Sequence, residues 1–313
     1  MNRFLTILSG IRQKYRMFIR DLRLTNTFRC DKETLLSSLL VDGHVLEKGI
    51  TMPERRNGFG YDKVRQLIAK CSECIKLGGA EMELQSAIAD LKQYIEVQER
   101  GFKLPEDITS GIQSLIPYLI INDDNCFSTN PKDFFRPVAD YKEFAQQRKS
   151  VRNFSNEEVE DSILMEAVKL AQTAPSACNR QSVRVKVIEN RELMKIIGTE
   201  IQNGNRGFGH LANKWLLVTS ELGAWSQSQV SMAYIDGGIF TMSLLNALHY
   251  YGICACTLNA HLSSSRLTKL QTILNLPKSE VPIVFIVIGK PANKFMIAKS
   301  RRKPVEDIVT IIK

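Results

Sequence analysis

The chain has 313 residues, 44% of them hydrophobic and 24% charged, with a formal net charge of +9. That length leaves room for one large domain or two of ordinary size, and the balance excludes a fibre, a repeat array or a long disordered tract. No apolar run approaches the ~20 residues of a membrane-spanning helix. The start lacks the long apolar core and small-residue cleavage site of a signal peptide, so a cytoplasmic protein is expected.

The charge is uneven. Residues 1–30 hold seven basic side chains against Asp21 alone, two-thirds of the whole excess. Phe4, Leu8, Ile11, Tyr15, Phe18, Ile19 and Leu22 recur there at helical spacing, which predicts a basic amphipathic helix over Phe4–Leu24. Such a helix either packs its apolar stripe on the domain behind it or makes a weak contact with a membrane surface or acidic partner; the first reading is preferred. Nucleic acid is not an expected partner, because no recognition motif accompanies the charge.

Further helices are predicted over Lys32–Leu40, Tyr61–Leu77, Glu81–Gln98 and Ser110–Ile121. The charged and glycine-containing stretch from His44 to Gly60 reads as a folded loop between the second and third. Cys71 and Cys74 form a C-x-x-C, which reads as a redox pair, half of a zinc site, or two thiols on one helical face. No second pair and no preceding strand accompany them, so the packing reading is preferred and no metal site is expected. Seven cysteines in all, an odd number without a dense framework, agree with a reducing compartment. The Asn-, Asp-, Ser- and Pro-rich stretch from Asn122 to Pro137 marks a boundary. It divides a helical N-terminal region, residues 1–139, from a second domain, residues 140–313.

Beyond Asp140 helical patterns at Glu157–Thr173, Leu193–Asn203, Met232–Tyr251 and Ser264–Leu274 alternate with β-rich runs. The runs are Val183–Glu189, Trp215–Ser220, Cys254–Leu258 and Val281–Ile288. That alternation argues for an α+β or α/β arrangement, a sheet covered by helices. Met232–Tyr251 is apolar nearly all round and contains Gly237-Gly238, as a central core helix or a subunit interface would.

There is no G-x-S-x-G, H-E-x-x-H, P-loop or G-x-G-x-x-G, and the four histidines lack ligand spacing. Three other groups stand out. Arg148-Lys149-Ser150-Val151-Arg152 puts three cations and a hydroxyl within five residues, a compact anion-binding set. Ala174-Pro175-Ser176-Ala177-Cys178-Asn179-Arg180-Gln181 follows a helix with proline, small residues and amides, suited to lie against a planar ligand. Lys299-Ser300-Arg301-Arg302-Lys303-Pro304 is a second cationic group.

In this order, these groups make residues from about 140 to 313 resemble the nitroreductase family of FMN enzymes. The Arg-Lys-Ser-Val-Arg stretch matches an Arg-Arg-Ser-x-Arg motif, and Ala174 to Gln181 match an Ala-Pro-Ser-x-x-Asn-x-Gln loop. Gly237-Gly238, Gly252-Ile253 and the Arg302-to-Glu306 tail match later family features. The family's Gln-Pro-Trp is Gln181-Ser182-Val183 here. The N-terminal region resembles a helical extension on nitroreductase-like proteins encoded among bacterial polysaccharide biosynthesis genes.

The resemblance implies an α+β fold with a central mixed or antiparallel sheet and a homodimer sharing its FMN sites. It implies an FMN phosphate held by Arg148, Lys149, Ser150, Arg301 and Arg302, and Arg152 near the N1–C2 carbonyl edge of the flavin. It implies that Pro175, Ser176, Ala177, Asn179 and Gln181 line the isoalloxazine, usually from the partner subunit, and that Thr257, Leu258 and Asn259 face N5. No protein side chain is implied as catalytic, because N5 carries the hydride. The implied reaction is ping-pong, with NADH or NADPH as donor and a quinone, nitroaromatic or related small molecule as acceptor. A flavin dehydrogenase or oxidase of a pathway intermediate, or an FMN-binding assembly protein without turnover, are the alternatives.

Overall fold

The computed structural model describes residues 32–313 apart from 100, 122, 139 and 226–228, together with residues 8, 11, 12, 15, 18 and 19. The helix expected over Phe4–Leu24 therefore lies mostly outside the described residues. Those that are described are helical, and Leu8, Ile11, Tyr15 and Phe18 of its apolar stripe are exposed. The chain forms two compact units, Met1–Phe127 with Ala298–Lys313, and Ser128–Ile297. The C-terminal cationic segment thus counts with the helical unit. Among the described residues no helix is long and apolar enough to cross a membrane.

In the first unit four helices, α1 (Lys32–Ile50), α2 (Tyr61–Lys76), α3 (Met82–Glu96) and α4 (Glu106–Leu115), close around one core. Leu39, Leu46, Leu67, Ile88, Leu91, Tyr94, Ile108 and Ile112 fill it. Helix α1 runs straight through His44–Gly49, where a loop was expected. Its glycines serve close packing instead of breaking the helix: a Cβ on Gly49 would lie 2.1 Å from the Phe59 ring. Helix α4 starts ahead of the expected Ser110, with Pro105 at its cap and Glu106 and Asp107 in its first turn. Pro117 then turns its end into a short 3-10 segment, Ile116–Tyr118. Cys71 and Cys74 are fully buried in this core, and burial pushes the Cys71 thiol up to about 12, so the pair behaves as packing.

The second unit is built on four strands, β1 (Val183–Ile188), β2 (Lys214–Glu221), β3 (Cys254–Asn259) and β4 (Glu280–Gly289). They lie in the order β1-β2-β4-β3, every pair antiparallel, so the sheet is antiparallel where a mixed one was also open. Valine and isoleucine dominate β4, and β2 is buried on both faces, as a sheet covered on both sides demands. Pro282 cannot donate to the ladder, and the register shifts beside it, between Val218 and Thr219.

Helices α5 (Tyr141–Gln147), α6 (Asp161–Ala171), α7 (Arg191–Ile196), α8 (Val230–Tyr250) and α9 (Ser264–Ile273) accompany the sheet. Leu244, Ala247 and Leu248 of α8 join Leu164 and Ala167 of α6 over Leu216, Val218, Ile286 and Ile288 of the sheet. After α7 the chain continues as a π-helical turn, Ile197–Ile201, ending the helix two residues before the expected Asn203. Lys214, nearly buried at the start of β2, is held by Asp161 and Glu189.

The two glycines of α8 separate cleanly. A Cβ on Gly237 would lie 2.7 Å from Cγ1 of Ile283 on β4, whereas a Cβ on Gly238 meets nothing within 4 Å. Gly237 is thus where the helix presses on the sheet, and Gly238 faces outward beside exposed Tyr234, Ile235, Ile239 and Met242. Gly237→Val is expected to destabilise the fold by about 1–3 kcal/mol through overpacking, measured by denaturant unfolding. Gly238→Ala is expected not to, and equal losses would contradict this assignment.

Candidate functional site

After α5 the chain passes along the edge of the sheet. Val151 N–H donates to the Ala255 carbonyl at 3.0 Å, and Ser155 N–H donates to the Lys290 carbonyl at 3.0 Å. The first bond fixes Arg148, Lys149, Ser150 and Arg152 against edge strand β3, and the second ties the segment to the residue that follows β4. Val151 is buried as the apolar anchor, and Arg152 is only 4% exposed, with its guanidinium carbon 5.9 Å from the centre of the Phe208 ring. Farther along β3, Thr257 and Asn259 are exposed while Leu258 between them is buried. The alternation leaves one face of this strand end open. Gln202 reaches it, donating to the Asn259 carbonyl at 2.8 Å.

His249, in the last turn of α8, packs behind Arg148. Its ring lies 5.1 Å from Phe134, 5.1 Å from Phe135 and 5.3 Å from Phe144, and its Nε2 lies 3.2 Å from Oε1 of Gln147. Burial, and then the positive charge of Arg148, pull its pKa down to about 4. A neutral imidazole avoids placing a second cation beside the arginine.

The Ala174–Gln181 loop leads into β1, the opposite edge of the same sheet. With strands about 4.8 Å apart, three intervals separate the two edges by roughly 14 Å. Cys178, Asn179 and Gln181 have φ of 54°, 54° and 49°. Left-handed geometry suits asparagine but costs other side chains on the order of 1–3 kcal/mol each. The loop supplies some bonds itself: Gln181 N–H donates to Ser176 Oγ at 3.1 Å, and Gln181 Nε2 donates to Asn179 Oδ1 at 3.0 Å. From outside, Asp236 Oδ2 on α8 accepts the Ala177 N–H at 3.0 Å, and Arg180 lies 4.7 Å from the centre of the Trp225 ring. A cavity of about 390 Å³ beside the loop is lined by Pro175, Ser176, Gln181, Val185, Asp236 and Phe240.

The third group lies in the helical unit. Arg301 Nε donates to Asn125 Oδ1 at 2.7 Å and its Nη2 to the Asp123 carbonyl at 2.9 Å, while Lys303 pairs with buried Glu83 at 2.7 Å. Arg302 donates to the Ser300 carbonyl. Arg301 and Arg302 line a cavity of about 220 Å³ with Glu47, Glu83 and Asp90. Burial, with repulsion from Glu47, pushes the Asp90 carboxyl well above its usual range.

The site residues named from the sequence therefore fall into three clusters: Arg148–Arg152 with Thr257–Asn259, Pro175–Gln181, and Arg301 with Arg302. Sequence reasoning missed Asp236, Trp225, Phe208 and Gln202, which position the first two clusters, because each acts across a long separation without a local motif. Asn205 donates to the Gly198 and Gln202 carbonyls and shapes the turn.

The first cluster suits a flat, anionic group. Arg148, Lys149 and Ser150 are half-buried donors for a phosphate, Arg152 is a buried cation, and the open face of β3 offers a planar support. That donor set fits FMN. Among the described residues no cluster of side chains fits a metal.

The model of the nitroreductase family matches residues 145–215. An iodotyrosine deiodinase of Haliscomenobacter hydrossis is 26% identical over 209 residues, spanning 58% of this chain and 92% of that protein. A protein provisionally named NADH dehydrogenase/NAD(P)H nitroreductase from Archaeoglobus fulgidus is 25% identical, spanning 50% of this chain and 90% of that one. A crystal structure provisionally named an NAD(P)H:FMN oxidoreductase, from Staphylococcus epidermidis, shares the fold with a TM-score of 0.50 at 19% identity, over 56% of this chain and 97% of that one.

Because folded His249 stays neutral until about pH 4 while the unfolded residue takes up its proton near pH 6.5, stability is lost as pH falls through that window. The contribution is at most about 3 kcal/mol. His249→Phe is expected to flatten the pH dependence of unfolding between those limits, and an unchanged slope would show that the imidazole titrates normally.

Proposed function

On the premise that the chain carries a nitroreductase-family oxidoreductase domain, we propose that it is an FMN-dependent enzyme, working as a homodimer with shared flavin sites. The observation that supports this reading is the separation of its two motif clusters. Arg148–Arg152 lies along β3 and the Ala174–Gln181 loop enters β1, opposite edges of one sheet. A single flavin touching both sets needs the loop of a second copy. The outer face of α8, with Tyr234 51%, Ile235 50%, Ile239 41% and Met242 45% exposed, is too apolar to face water alone and supports that pairing.

In this reading Arg148, Lys149 and Ser150 bind the phosphate. Arg152 holds a positive charge at the N1–C2 carbonyl edge, and Thr257, Leu258 and Asn259 support the ring system. Pro175, Ser176, Ala177, Asn179 and Gln181 of the partner subunit cover it and exclude water. When bound, FMN supplies hydride chemistry between NADH or NADPH and a small acceptor such as a quinone or nitroaromatic. Relatives named iodotyrosine deiodinase make an iodinated tyrosine a second acceptor to assay.

Purified protein is expected to be yellow, to release FMN on denaturation, and to bleach anaerobically with NADH or NADPH; colourless protein that binds no added FMN would overturn the reading. Arg148→Ala or Arg152→Ala is expected to lose about 1.5–3 kcal/mol of FMN binding, on the order of 10–100-fold in affinity by equilibrium titration. Gly238→Glu, at a position where an added Cβ meets nothing within 4 Å, is expected to give a folded monomer that has lost flavin. A folded monomer that binds FMN stoichiometrically would refute the shared site.

A further inference from the structure

Asp236 is a carboxylate in the middle of an otherwise apolar helix, 2% exposed, and no step of the proposed chemistry uses it. Its surroundings say what it does. Gly237, next in sequence, lets α8 approach Ile283 of β4 closely, and that contact fixes the height and rotation of the helix at this turn. Asp236 then faces the start of the Ala177–Asn179 turn, and its Oδ2 accepts the Ala177 N–H at 3.0 Å. Immediately beyond that bond come three residues with left-handed backbone, Cys178, Asn179 and Gln181, two of which have no intrinsic preference for it. The Oγ of Ser176, the residue before the turn, accepts the Gln181 N–H at the far end, which leaves the Ala177 N–H to Asp236. A strained conformation persists only when its surroundings over-determine it.

Resting on the flavin site proposed above, we infer that Asp236 is a positioning residue for that site, whose buried carboxylate locks the Ala174–Gln181 loop into the shape that covers the partner's flavin. An acceptor oxygen at this position is what takes the Ala177 N–H, and an asparagine amide supplies one as the aspartate does. The arrangement joins the loop to the helix whose outer face is the proposed dimer contact. Loop shape and subunit pairing are thereby set by one rigid element, and Arg180 on Trp225 steadies the far side of the turn.

Hydrogen exchange on cofactor-free protein reads the lock directly. In Asp236→Ala the amides of residues 176–181 are expected to exchange at least tenfold faster than in the parent, with protection elsewhere in α8 retained. Asp236→Asn, which keeps an acceptor oxygen, is expected to restore protection to within about threefold. FMN titration should follow the same order, with roughly tenfold or greater loss for Asp236→Ala. Ala177→Pro removes the donor while leaving the carboxylate in place; it should reproduce the loss of FMN affinity, and it decides the matter if Asp236→Ala fails to fold. Unchanged exchange in Asp236→Ala, or in the case of misfolding unchanged FMN affinity in Ala177→Pro, would overturn the inference. A parent protein that binds no FMN would instead overturn the flavin reading, leaving the exchange result to judge the lock on its own.

Discussion

The order of the four strands is the constraint from which the functional reading of this protein follows. Because β3 and β1 are the two edges of one antiparallel sheet, the segments attached to them are kept apart by the two strands between. Backbone bonds from Val151 to Ala255 hold the cationic segment at one edge, and chain continuity through Ser182 into Val183 holds the Pro-Ser loop at the other. Neither segment can migrate to the other without breaking the ladder. In the function proposed above, the flavin that uses both bridges two copies, and the apolar outer face of α8 is the proposed surface on which they meet.

Helix α8 ties the sheet to both clusters. Gly237 lets it touch β4, Asp236 reaches the loop, and His249 at its other end packs behind Arg148 among three aromatic rings. The depressed pKa of His249 belongs to the same design: a neutral ring keeps the positive charge at the edge of β3 on the arginines, where an anion can use it. A long, almost uniformly apolar helix with one buried acid and one buried imidazole is hard to explain by packing alone.

Much of this was legible from residue order. Short β-rich runs located the four strands of the larger sheet to within a residue, whereas the short strands Cys126–Thr129 and Phe295–Ala298 went unread. The nearly all-round apolar stretch around Gly237-Gly238 announced a long helix, core or interface, of which one side packs on the sheet and the other is exposed within this chain. The groups Arg148–Arg152 and Ala174–Gln181 stand out by their own chemistry, while their assignment to a flavin rests on the family resemblance. What escaped were features that depend on partners distant in sequence. Gly43 and Gly49 look like helix breakers until Asp90 and Phe59 are seen to fill the space beside them. Asp236 carries no local signal, since its bond is made to a residue 59 positions away. Arg301 resembles a free cation in sequence, yet Asn125 and the Asp123 carbonyl engage it within the helical unit.

Subunit complementation tests the shared site most directly. One chain would carry Arg148→Glu, disabling the cationic cluster, and the other Ser176→Glu, placing a charge on the covering loop. Each homodimer has a defect in both of its sites. In a mixed dimer built on a shared site, one site collects both substitutions and the other has neither, so one FMN per mixed dimer should bind with parental affinity. Mixed dimers that bind no better than the homodimers of either variant would contradict the account, because each site would then carry one of the two defects.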